Sequence, residues 1–131
     1  MPPAPDKLAM YRKALRCYQA AMERLHPDIE RVEMPYEGVS LPAYFEKGRG
    51  SGKRSTAVMF DGMDNAKEMS VIFAGLDFAN RGINTLAIDG PGQSETLRLR
   101  NIPSRHDYEV PGRAAYDYVA ARPEVDPSAS R

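Results

Sequence analysis

Apolar residues first recur at Leu8, Tyr11, Leu15, Tyr18, Met22 and Leu25, in alternating steps of three and four. That spacing draws one stripe along a helix of about 20 residues, with Lys7, Arg12, Lys13, Gln19 and Glu23 lying off it. His26-Pro27 ends the helix, because a proline disfavours helical geometry in the residue before it. The spacing also fits a short coiled coil. Strong flanking charge pairs are missing, however, and burial against the protein's own core is the better reading. Glu30–Tyr36 and Val39–Glu46 then read as two strands joined at Glu37-Gly38 in a tight hairpin turn. Pro35 and Pro42 place these strands at edges or ends, where a missing N–H is tolerated. Gly48 to Arg54 is a flexible exposed loop.

The pattern changes at Thr56-Ala57-Val58-Met59-Phe60, a continuous apolar run that suits a strand covered on both faces. From Ala66 to Asn80, Met69, Ile72, Phe73, Leu76 and Ala79 mark the inward face of a helix that Arg81-Gly82 closes. Ile83 to Ile88 is a second buried strand, ending at Asp89-Gly90-Pro91-Gly92. Strand, helix and strand at this spacing make a right-handed βαβ unit. Gln93 to Asp107 reads as a polar loop. A last helix over Glu109–Arg122 turns Ala115, Tyr118 and Val119 inward, with Pro111 near its first turn. Pro123 to Pro127 ends it, and residues 128–131 form a tail. The order is helix, β-hairpin, then βαβα, so the fold class is α/β.

Composition narrows the partners. The 131 residues suffice for one core, yet single α/β domains commonly run to roughly 200–250 residues. Lys plus Arg and Asp plus Glu number 18 each, which leaves no electrostatic reason to expect nucleic acid or an anionic membrane as partner. Cys17 is the only cysteine, which excludes an intrachain disulfide and a multi-cysteine metal site. No apolar run approaches the roughly 20 residues of a membrane span. The start, Met1-Pro2-Pro3-Ala4-Pro5-Asp6, has neither the basic nor the apolar region of a signal peptide, so a cytoplasmic setting is expected.

Three stretches invite a chemical reading. Gly92-Gln93-Ser94-Glu95-Thr96 is one residue short of the G-x-S-x-G nucleophile elbow, in which a strained strand-to-helix turn presents the serine. Thr96 replaces the final glycine and no helix start follows, so Ser94 reads as a polar loop serine. Gly48 to Ser55, with Asp89-Gly90-Pro91-Gly92-Gln93, imitates a GTPase. A phosphate loop, however, must open a helix, and the next element here is a strand. Phe60-Asp61-Gly62-Met63-Asp64-Asn65 lies at the carboxyl end of a buried strand, where open α/β sheets bind ligands. It fits a loop whose backbone N–H groups hold an oxyanion, and equally a glycine turn with Asp64 or Asn65 capping the helix.

Val58 to Glu68, Arg81 to Gln93 and Pro103 to Pro111, with Asp-Gly-Pro-Gly-Gln after a buried strand as the most specific part, resemble one family. It is the α/β-hydrolase family that contains 2,6-dihydropseudooxynicotine hydrolase and the fermentation–respiration switch esterase-like proteins. The resemblance runs from about Ile29 to Pro127 and covers only the N-terminal half of such a fold. It implies a remnant of a helical cap over residues 1–28 and a partial core over 29–127. It implies strand order 1-2-4-3-5-6-7-8, which would leave Thr56–Phe60 at an open edge. The implied catalytic serine, acid and histidine would follow residue 131, and neither His26 nor His106 matches that histidine. Only Gly62 and Met63 carry over, as backbone donors of half an oxyanion hole, with Asp61 at a place often held by histidine. The implied parent cleaves an ester, amide or C–C bond in a small molecule without metal or cofactor, and this chain alone is expected to be inactive. The alternative is a non-catalytic binding or dimerisation domain that forms a homo-oligomer through its first helix.

Overall fold

Glu37 and Gly38 both take positive φ, 42° and 78°, the twist that a two-residue hairpin loop requires. In the computed structural model, which describes residues 4–129, they join β1 (Glu30–Tyr36) to β2 (Val39–Glu46). Met1, Pro2 and Pro3 of the predicted start, and Ser130 and Arg131 of the predicted tail, lie outside the described residues. The β1–β2 register runs from Glu30 opposite Phe45 to Tyr36 opposite Val39. β2 then pairs antiparallel with β4 (Asn84–Ile88), and β4 pairs parallel with β3 (Thr56–Phe60). The sheet order is β1-β2-β4-β3, as the family resemblance implied. β2 is thus an interior strand, against the expectation from Pro42. The proline is tolerated because the ladder to β4 begins one residue later, at Ala43 opposite Ile88.

Alternation along β2 divides the core. Leu41, Ala43 and Phe45 face α5 (Glu109–Ala120), which buries Ala115 and Val119 completely. Tyr44 faces the other way, toward Met22 of α1 (Pro5–Leu25) and Val71. The stripe of α1 is buried at Leu15 and Met22, half-buried at Tyr11 and Tyr18, and open at Leu25, which is 71% exposed.

The predicted second helix is continuous but compound: α2 (Lys67–Ser70), a π-turn over Val71–Gly75, and α3 (Leu76–Asn80). Its inward face is not the expected one. Lys67, Val71, Gly75 and Ala79 are buried, whereas Ile72 and Phe73 are 47% and 71% exposed. Strict steps of four stay on one side because the wider π-turn absorbs the drift of a 3.6-residue period. The region read as a polar loop also holds a short helix, α4 (Ser94–Arg98), whose first three residues are buried. No helix among the described residues is long and apolar enough to cross a membrane.

β3 has no strand on its outer side among the described residues. Just before it, Arg54 forms an isolated parallel bridge with Val125. The Arg54 N–H donates to the Glu124 carbonyl at 3.0 Å, and the Asp126 N–H donates to the Arg54 carbonyl at 2.9 Å. The chain after α5 therefore reaches the foot of the open edge, running in the direction of β3.

Candidate active site

The carboxyl ends of β3 and β4 release two loops that meet over the sheet. Gln93 ties them together. Its Oε1 accepts from the Gly90 N–H at 2.7 Å, and its Nε2 donates to the Asp61 carbonyl. Gly90 is required by space, since a Cβ there would lie 2.2 Å from the Tyr108 hydroxyl and 2.8 Å from the Phe60 ring. Tyr108 sits edge-on to Phe60, with ring centroids 5.4 Å apart, and closes the floor of the crevice.

Beneath the loops lies a buried charge cluster. Lys67 is fully buried. Its Nζ stands 2.8 Å from Asp89 Oδ2, 2.7 Å from Glu95 Oε2 and 2.8 Å from Glu68 Oε1. The first two contacts are hydrogen bonds; Glu68 is placed as an ion pair without hydrogen-bond geometry. The Lys67 N–H also donates to Asp89 Oδ1 at 2.8 Å, so one aspartate holds both the side chain and the helix start. The three carboxylates converge as closely as metal ligands would, and the lysine ammonium is the cation they share. Arg31 of β1 adds a second positive charge, 2.7 Å from Glu95 Oε1.

Burial opposes the charge on Lys67, but Asp89, Glu68 and Glu95 outweigh it and hold the ammonium above the ordinary lysine range. The two glutamates diverge. Burial lifts Glu68, which Lys67 only partly offsets, whereas Lys67 and Arg31 together overcome burial at Glu95 and lower it. Asp61 is also lifted by burial, although its Oδ1 accepts from Ser70.

Above this cluster, Gly62 and Met63 are exposed, and Met63 is 86% so. Their N–H groups donate to nothing else among the described residues. Apart from its chain neighbours, no residue comes within 4 Å of where a Gly62 Cβ would be, so the space beside that backbone is open. Met63 also borders a hollow of about 210 Å3 with Gly92, Gln93 and Tyr108. On the other side of the loop, α1 overhangs a wider hollow of about 410 Å3 lined by Tyr11, Asp64, Ser94 and Arg98.

Ser94 lies in that wall, but it is turned to structure. It is 3% exposed, has φ of +29°, and its hydroxyl is 2.9 Å from the Tyr11 hydroxyl. Burial, more than the bond to Ser94 can offset, pushes the Tyr11 phenol up to about 12. The two histidines do not join Ser94. His26 lines a cavity beside the end of β2, and His106 lies in a groove beside Tyr36. The sequence that imitates a phosphate loop packs at the far end of the sheet, where the Gly48 N–H donates to Asn84 Oδ1 at 2.8 Å. Asn65 does not cap the helix; its amide bonds Asp61 at 3.3 Å, and Ala66 holds the cap position without a side-chain bond.

Lys67, Glu95 and Arg31 were not singled out by the sequence. Their only signal was position, since Lys67-Glu68 and Glu95 follow directly on the loops at the two strand ends.

No family model matches the chain. The 2,6-dihydropseudooxynicotine hydrolase of Paenarthrobacter nicotinovorans is 32% identical over 107 residues, covering 82% of this chain and 28% of that protein. The α/β hydrolase xenA of Xenoacremonium sinensis is 30% identical over 112 residues, covering 82% of this chain and 26% of that protein. A crystal structure of the 2,6-dihydroxy-pseudo-oxynicotine hydrolase matches with a TM-score of 0.80 at 28% identity, covering 92% of this chain and 33% of that one. AbyA5 shares the fold, with a TM-score of 0.74 at 21% identity over 92% of this chain and 34% of that one. The chain spans 26% and 28% of the length of the two sequence relatives. Its strand order, its paired strand-end loops and these likenesses agree: the chain matches the N-terminal part of α/β hydrolases in sequence and in fold.

Proposed function

We propose that these 131 residues are the first part of the core of a serine hydrolase that cleaves an ester, amide or C–C bond in a small molecule. The observation that supports this reading is the Arg54–Val125 bridge, which brings the chain after α5 to the foot of the open edge of β3, parallel to it. A strand laid there would end beside Gly62 and Met63. A nucleophile at that strand's end would then face their free N–H groups, which become the donors for a developing oxyanion. The Lys67 cluster and Gln93 hold those donors in place before substrate arrives, which is where electrostatic stabilisation is most effective. In this reading the nucleophile, the acid and the histidine come from chain beyond residue 131. The 131 residues alone then do not turn over substrate, and the chemistry needs no cofactor.

A fluorophosphonate probe, which labels activated serines, tests this. The natural protein is expected to exceed 14.6 kDa and to be labelled at a serine beyond residue 131. The 131-residue chain is expected to stay unlabelled, and Ser94→Ala to change nothing. Labelling of Ser94 itself, or a natural product of 14.6 kDa, would overturn the proposal.

A further inference from the structure

A second cavity opens at the opposite end of the sheet. Glu46 ends β2 across from Thr85, near the start of β4, whereas the crevice begins beyond Ile88 at that strand's other end. The cavity measures about 310 Å3 and lies between the end of α1, the end of β2 and α3. Leu25 and Leu76 give it apolar walls, and Asp28, Glu46, His26 and Arg49 give it charge and polarity.

Glu46 is the unusual member. It is only 5% exposed, yet its carboxyl has no hydrogen-bond or ion-pair partner among the described residues, and Oε2 is sealed from solvent. A buried carboxylate without a partner is costly, so Glu46 holds its proton to higher pH unless something compensates its charge. Asp28 makes matters worse by adding a second negative charge nearby, and Arg49 relieves it only from a distance. The backbone makes room for the carboxyl at Gly75, in the π-turn, where a Cβ would lie 2.6 Å from Oε2. Turns of this kind recur at functional positions.

We infer that this cavity binds a small organic ammonium ion, with its N–H groups shared between Glu46 and Asp28 and its carbon body against Leu25 and Leu76. A metal ion fits less well. The cavity's acids and His26 do not converge as metal ligands do; among the described residues only Glu68, Asp89 and Glu95 come that close. An ammonium with a carbon body spans a wider gap and also uses the apolar walls. The Lys67 cluster shows the same pairing inside this fold, one ammonium among carboxylates at 2.7–2.8 Å. The inference does not depend on the hydrolase reading.

The test is a calorimetric titration of the full natural chain with n-propylammonium chloride, with sodium chloride as the blank. Saturable binding is expected, weakened about tenfold or more in Glu46→Gln, which keeps the shape of the side chain and removes its charge. Asp28→Asn, at an exposed position that places no strain on folding, is expected to weaken it less. Tetramethylammonium, with the charge but no N–H, is expected to bind more weakly than propylammonium. No saturable binding, equal binding by Glu46→Gln, or binding of magnesium in preference to the amine would each overturn the inference.

Discussion

Methionine at position 67 would keep the length of the lysine and remove its charge, leaving Asp89, Glu68 and Glu95 together in a closed space. Breaking a buried ion pair from one side typically costs about 3–5 kcal/mol. Lys67→Met is therefore expected to lower the denaturant midpoint sharply, and adding Glu95→Gln to recover part of the loss, because the two sites share one cluster. Equal midpoints for Lys67→Met and the parent would count against the cluster as a stabilising unit. Glu46 gives the opposite kind of dependence. Burial, then Asp28, push its carboxyl up to about 7, with Arg49 pulling weakly the other way and His26 lining the same cavity. The fold thus prefers the protonated acid. Its contribution is full below the ordinary carboxylate value of 4.5 and is lost as pH rises from there through about 7. Stability is expected to fall across that window, and Glu46→Gln to flatten the fall. A thermal melt series at several pH values measures both. These residues were hard to read in advance, because a lysine and three acids look like solvent-facing positions until something shows that they neutralise one another.

At the scale of elements, the strands were legible and the polar helices were not. The apolar runs at Thr56–Phe60 and Ile83–Ile88 read as buried strands, and both form strands. Only β4 is buried throughout, while β3 is half-buried beyond Thr56. Glu37-Gly38 is the hairpin turn it reads as. α4 was missed because its buried residues are Ser94, Glu95 and Thr96, which enter the interior through Tyr11, Lys67 and the Asp89 carbonyl rather than through apolar packing. The inward face of the second helix was misassigned for a related reason. Its apolar residues Ile72 and Phe73 look outward, while Lys67 and Gly75 look in. Phe73 is 71% exposed, so Phe73→Lys is expected to raise the solubility of the 131-residue chain while changing its stability by less than about 0.5 kcal/mol. Static light scattering and a denaturant melt separate the two effects. A large loss of stability would show that Phe73 is packed rather than open.

The whole molecule is shaped by a sheet whose β3 edge is unpaired among the described residues. Strand order and the open position of β3 were implied by the family resemblance, and both are present. Val58, Met59 and Phe60 of that strand are only half-buried, and an apolar unpaired edge is a template for another chain. The isolated 131-residue chain is expected to self-associate, with a sedimentation coefficient that rises with concentration. A concentration-independent monomer with one sharp thermal transition would contradict this. The candidate site was legible only in outline, since the sequence marks the strand-end loops but not the cluster that holds them.

The Arg54–Val125 bridge has a consequence for how such a protein can be assembled. Past the bridge, Asp126 folds into a tight exposed turn, in which its side chain accepts the Ser128 N–H at 3.0 Å. An exposed turn of small polar residues is a place where a backbone tolerates interruption. Under the proposed function, the chain that follows is anchored beside β3 on the near side of that turn. If the proposed function holds, the hydrolase is expected to assemble from two separate polypeptides divided at this turn, the first presenting the β3 edge and the second supplying a strand for it. Fragment complementation, with activity returning only on mixing, would be the natural behaviour of a sheet divided at this point.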